Sequence, residues 1–334
     1  MVANPPTSST PSAWLDRRAA LSLLLTLPVT ASAFAQSYPD RPIRMIVPFA
    51  PGGITDVSVR LIAQLMSVSV KQSIVVENRA GGGGTIGATA VARAEPDGYT
   101  LLVSTSATNA IVPAMYEKLD YDPIKSFLPI ARISSAPYLL VVNADVPVRT
   151  ARELADYVKA HPKFAFAAPT GTPPHILAFV FKELTGVDFT VALYKGGGPA
   201  MTDLLGNQVQ AIFQATTIIL PLLDDKRVRI LGIAAQERST LLPDVPTLAE
   251  QGFPLLIADS WNGLGAPAGT SANIVRRLNH EVNEALKSPE LKATFAKLGI
   301  TANIVSPDQF GVFLKEEAVR WDALVKASKL PKIR

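Results

Sequence analysis

The stretch IVPFAPGGITDVSVRLIAQLM, from Ile46 to Met66, decides how the chain is to be read. An apolar run ends at Phe49, Pro51-Gly52-Gly53 breaks it, and a helical pattern restarts at once with Thr55 and Asp56 in its first turn. Tight turns seldom need both glycines, whereas a backbone that must touch a ligand often does. A helix N-terminus carries unpaired N–H groups and a partial positive charge, and glycine lets an anion come close to them. The same residues also describe an ordinary turn, with Thr55 as cap and Asp56 complementing the helix dipole. From this stretch alone both readings stay open. The helical part predicts a buried face formed by Val57, Leu61, Ile62, Leu65 and Met66.

The alternation continues outward from there. Strand-like runs are IRMIVPF, SIVVEN, YTLLVS, PYLLVVN, KFAFAAP, FTVALY, VQAIFQ and RILGIAA. Helical patterns lie between them, among them TIGATAVARA, TARELADYVKAH, PHILAFVFKELTG and GPAMTDLLG. Continuous Val/Ile/Leu runs with interleaved helices indicate α/β architecture, with mostly parallel sheets flanked by helices. The last part reads as three helices, SANIVRRLNHEVNEALKS, PELKATFAKLG and SPDQFGVFLKEEAVRWDALVKAS. Thr150 and Ser306 fall at cap positions. With no linker-like composition shift, two interleaved lobes are expected, 36–138 plus 262–334 and 139–261, with ISSAPYLLVVN and FPLLIADSWNGLGAP as crossovers. KLDYDPIKSFLPI and LLPDVPTLAEQG read as ordered proline-rich loops.

The chain has 334 residues, 48% hydrophobic and 18% charged, which belongs to an ordered globular protein of roughly two domains. The absence of cysteine rules out disulfides, thiolate catalysis and cysteine-ligated metal sites. Near the N-terminus Arg17-Arg18 precede AALSLLLTLPVTASAF, which ends in Ala33-Phe34-Ala35. That order is a secretory signal peptide over residues 1–35, cut before Gln36, and it places the mature protein in the periplasm. Cleavage removes Arg17, Arg18 and Asp16 and leaves a net charge of +3, too small and scattered for a nucleic-acid footprint.

Two further breaks carry chemistry. NRAGGGGTIGA holds a literal G-x-G-x-x-G at Gly82, Gly84 and Gly87, but the acidic partner expected about 20 residues later is missing, and a close helix–sheet packing turn fits better. AAPTGTPPHILAF repeats the opening pattern, a strand running into Thr170-Gly171-Thr172 and then a helix with Pro173 and Pro174 at its start. Two such N-termini facing a cleft would grip a carboxylate without arginine. His175, one turn in, is either a hydrogen-bonded scaffold residue or a site residue. No G-x-S-x-G elbow and no metal-ligand spacing occur, and no cofactor is called for.

With these blocks in order, the chain resembles the Bug proteins, periplasmic solute receptors of the tripartite tricarboxylate transporter type. The resemblance is carried by YPDRPIRMIVPFAPGGITD, VVENRAGGGGTIGA, PDGYTLL, TGTPPH, YKGGGPAMTDLLGNQV, LPDVPTLAEQGFP and WNGLGAPAGT, across the whole mature chain. It implies a two-lobed, Venus-flytrap periplasmic-binding-protein fold closing on a small di- or tricarboxylate or aromatic acid, delivered by a monomer to membrane permease subunits or a signalling sensor. It assigns ligand binding to Gly52, Gly53, Ile54, Thr55 and Asp56 and to Thr170, Gly171, Thr172 and His175, with Asp56 orienting a bridging water or a ligand donor. Ser104 and Thr105 at the end of the third strand, Tyr194, Gly196 and the wall residue Trp261 complete the implied pocket. Ile54 and the pair Pro173-Pro174 depart from the commoner pattern and leave room for an apolar or aromatic acid. An exported enzyme using His175 with Asp56 is the alternative from another class.

Overall fold

Apolar runs of five or six residues become strands here because helices cover both faces of the sheets they form. A computed structural model describes residues 1–6 and 38–333, so the expected signal segment lies almost wholly outside the described residues, as does its cleavage point. Pro39–Arg334 is one compact unit. Met1–Tyr38 is a separate unit, whose described residues carry neither helix nor strand.

The first sheet starts from β1 (Ile43–Val47), which runs parallel to β2 (Ile74–Asn78) and to β3 (Thr100–Thr105). The second repeats that layout with β5 (Ala165–Pro169) between β6 (Thr190–Tyr194) and β7 (Ala211–Ala215), all parallel. Two antiparallel strands join the trios, β4 (Phe127–Asn143) and β9 (Asp259–Pro267), in the order β2-β1-β3-β9-β4-β7-β5-β6. β4 is 17 residues long. Its first part, up to Pro137, pairs with β9, and from Tyr138 onward it pairs with β7 and with β8 (Val228–Ile233). β10 (Thr301–Ala302) adds a short antiparallel edge to β4. The segments ISSAPYLLVVN and FPLLIADSWNGLGAP fall in β4 and across β9, and these two strands pair with each other.

Among the described residues ten α-helices clothe these sheets: α1 (Ile54–Val70), α2 (Thr85–Ala92), α3 (Val112–Met115), α4 (Ala151–Lys159), α5 (Pro173–Thr185), α6 (Gly197–Leu205), α7 (Thr216–Ile219), α8 (Ala272–Lys287), α9 (Pro289–Lys297) and α10 (Pro307–Ala327). The expected caps form: Thr150 accepts from the Glu153 N–H, and Ser306 and Gln309 make a reciprocal capping box. α3, the helical turn Ala107–Ile111 before it, and α7 were not predicted. Each is too short to show a helical period and is held by its surroundings.

The buried face of α1 also differs from expectation. Val57 is exposed, and Ser58, Val59, Ile62, Ala63, Met66 and Val70 point inward. Buried hydrogen bonding turns the helix this way, because Ser58 Oγ accepts from Asn262 Nδ2 of β9 at 3.1 Å. α10 packs on two cores. Phe310 and Leu314 join Trp261 in one cluster, while Trp321, Leu324 and Val325 join Ile176, Leu177 and Phe181 of α5 in another.

Candidate functional site

In an open α/β sheet the ligand crevice lies beyond the carboxyl ends of the strands. Here five parallel strands end at one cavity of about 310 Å³. Phe49–Asp56 follow β1, Thr105–Ala107 close β3, and Pro169 ends β5 with Thr172–Pro174 beyond it. Lys195–Pro199 follow β6, Gln214 and Ala215 end β7 with Ile218 beyond them, and β4 and β9 supply Tyr138, Ser260 and Trp261.

The PGG turn is built for exposure of amides. Gly52 takes φ +84°, which a side chain resists, and its N–H donates back to Asp56 Oδ2 at 3.1 Å. Gly53 is the N-cap of α1 and supplies no side chain, so the N–H groups of the first turn stay uncapped beside the cavity. Asp56 braces this loop. Its carboxylate also accepts from Arg60 Nε at 3.0 Å and Asn78 Nδ2 at 2.9 Å. Burial pushes its pKa up, but the bonds from Arg60, Asn78 and Gly52 outweigh that and hold it below the ordinary range. The role expected for Asp56, orienting a water or ligand donor, gives way to an internal one because its oxygens are already engaged.

The PTGTPPH turn is built differently from expectation. Proline has no N–H, and Pro173 and Pro174 occupy the first two positions of α5. The next amide, His175 N–H, donates to the Thr172 carbonyl at 3.0 Å. Thr170 N–H goes to the Tyr194 carbonyl at 3.1 Å, and Gly171 N–H to His175 Nδ1 at 3.3 Å. Gly171, at φ +69°, packs on the glycine-rich turn before α2; a Cβ built on it would lie 3.3 Å from Gly83 Cα. The G-x-G-x-x-G run thus serves a close backbone approach.

Of the expected site residues, Gly52, Gly53, Ile54, Thr55, Asp56, Thr105, Thr172, Gly196 and Trp261 are brought together around the cavity. Thr170, Gly171, His175 and Tyr194 are not among its lining. Ser104 opens instead on a second cavity with Asn109, Phe127 and Gly265. The Tyr194 hydroxyl donates to Asp203 at 2.6 Å. His175 is buried with its Nδ1 accepting, and burial lowers its pKa to about 4, so it is neutral near pH 7.

At the third break, sequence reading named Tyr194 and Gly196 but missed their neighbours Lys195, Gly197 and Gly198. Gly196 caps α6 without a side-chain bond, Gly197 and Gly198 follow, and exposed Lys195 stands beside them at the cavity. Two glycines opening a helix after a strand are the same signal as PGGITD, so YKGGG was findable. Tyr138 and Ser260 had no such signal, because they sit within the strands β4 and β9, away from any glycine break. Burial pushes the Tyr138 phenol well up, which keeps it protonated as a hydrogen-bond donor beside Ser260. The cavity therefore combines uncapped helix amides, hydroxyls and one lysine with apolar walls from Phe49, Ile54, Pro173, Pro174 and Ile218.

The model of the family described as tripartite tricarboxylate transporter family receptor matches residues 58–330. Protein BugT of Bordetella pertussis is 39% identical over 306 residues, covering 91% of this chain and 94% of BugT. The structure of periplasmic binding protein BugD superposes with a TM-score of 0.83 at 33% identity, covering 89% of this chain and all of BugD. MatC from Rhodopseudomonas palustris, solved with bound malate, gives a TM-score of 0.81 at 35% identity, covering 86% of this chain and all of MatC.

Proposed function

The chain belongs to the tripartite tricarboxylate transporter receptor family, and on that premise we propose that it captures a small organic carboxylate in the cavity at the strand ends. It is a periplasmic solute-binding protein with the two-lobed binding-protein fold. In this reading residues 1–35 are removed on export, and β4 and β9 separate the lobes near the positions expected from sequence. The carrying observation is the uncapped N-terminus of α1 opening on the cavity through Gly52-Gly53. Amides there meet a carboxylate with the favourable end of the helix dipole. The bound malate of MatC is consistent with an acid of this size.

The second anchor in this proposal is the α6 turn with Lys195, since α5 has lost its first two amides to proline. Apolar walls at Ile54, Pro173 and Pro174 favour an acid with an apolar body. The bound acid is handed to membrane permease subunits by a monomeric receptor. An enzyme using His175 with Asp56 has less to support it: His175 lies outside the lining, and Asp56 is engaged by Arg60, Asn78 and Gly52.

A thermal-shift panel of aliphatic and aromatic acids tests the proposal. An acid present at about 100 times its Kd should add about 2.7 kcal/mol of stability. Gly53→Val should abolish that shift with little change in the ligand-free melting point, because a Cβ at Gly53 meets nothing within 4 Å. A folded protein indifferent to every acid would sink the reading.

A further inference from the structure

Two tryptophans share one buried carboxylate. Glu317 of α10 is 5% exposed, and its Oε2 accepts the indole N–H of Trp261 at 2.7 Å and that of Trp321 at 3.0 Å. Its Oε1 accepts Arg320 Nε at 2.8 Å, and Arg320 Nη1 reaches on to the Ile257 carbonyl, just before β9. A carboxylate taken out of water is costly unless fixed donors surround it, and here they do.

The indoles belong to different parts of the molecule. Trp261 is a wall of the cavity and meets Phe310 and Phe313 edge-on. Trp321 lies in the core around Ile176, Leu177 and Phe181. No residue of α10 itself lines the cavity, so Glu317 reaches it through the β9 residue Trp261. A ligand pressing on Trp261 therefore pulls on an oxygen that also holds Trp321.

We propose that Glu317 is a positioning residue of the ligand site, fixing the Trp261 wall and tying its position to the C-terminal half of α10. The inference rests on the reading of this cavity as a carboxylate site. A glutamine cannot replace it. Its one oxygen cannot serve both indoles and Arg320, and its NH₂ presents donors to donors.

The purified mature protein with ¹⁵N-labelled indoles decides the matter, since removal of residues 1–35 takes Trp14 with it and leaves Trp261 and Trp321 with one signal each. Without ligand, Trp321→Phe should displace the Trp261 indole signal, and the same change made in Glu317→Gln should not. An unmoved Trp261 signal in Trp321→Phe overturns the proposal, and this arm stands even if Glu317→Gln fails to fold. Malate, adipate and benzoate are then added in turn as probes. An acid that moves Trp261 should also move Trp321, and Glu317→Gln should weaken it roughly tenfold or more, the size of one lost charged hydrogen bond. Movement of Trp261 alone in the unsubstituted protein also overturns the coupling. If no probe moves either signal, the receptor reading fails, while the ligand-free arm still judges Glu317.

Discussion

Gly171 shows how far one residue can be read before the fold is known. Its place between a strand and a helix marked it for ligand contact, yet it sits at φ +69° against Gly83 and outside the cavity lining. The local pattern was legible; the face it presents was set by the neighbouring turn. Gly171→Ala should cost about 1–2 kcal/mol from the left-handed conformation alone, read as a lower urea midpoint with unchanged m-value. His175 gives a second expectation at this scale. Burial depresses its pKa to about 4 from an ordinary 6.5, so the unfolded chain binds the extra proton between those pH values. Its contribution is complete above about pH 6.5 and is lost as pH falls toward 4, by up to about 1.4 kcal/mol per pH unit. Carboxylates titrate nearby, so the measurement is the difference in unfolding free energy between the unsubstituted protein and His175→Gln. That difference should shrink between pH 6.5 and 4.

At the scale of elements, strand–glycine–helix breaks are strong signals because they combine a change of period with residues that restrict or free the backbone. All eight strand-like runs and both caps form where the sequence placed them. α3 and α7 carried no signal, since four residues cannot show a period. The two helix N-termini that looked alike, at PGGITD and TGTPPH, differ in donors: α1 begins with amides and α5 with two prolines. Pro174→Ala restores an N–H at the second position of α5, beside the cavity. It should strengthen malate binding about two- to tenfold, the worth of one added hydrogen bond, and leave benzoate little changed. Paired isothermal titrations of the two acids check it; equal effects on both would mean the new amide does not face the ligand.

Across the whole molecule the lobes are not free to unfold separately. β4 belongs to both sheets, and α10 packs its two halves on two cores. One cooperative transition is expected, with near- and far-ultraviolet circular dichroism curves that coincide; two resolved steps would contradict it. Sequence could supply the strands but not the strand order, and the cavity depends on that order. Tyr138 and Ser260 reach the same space only because β9 pairs with β4 at Ala136 and Ser260. The contact of Gly83 with Gly171 has a further consequence for exchange of cargo. Two bare backbones meet there, with no charged side chain between them for salt to screen. Salt would still screen Lys195 and the N-terminus of α1 at the cavity, so any salt dependence of acid release is expected to come from those groups and not from the glycine contact.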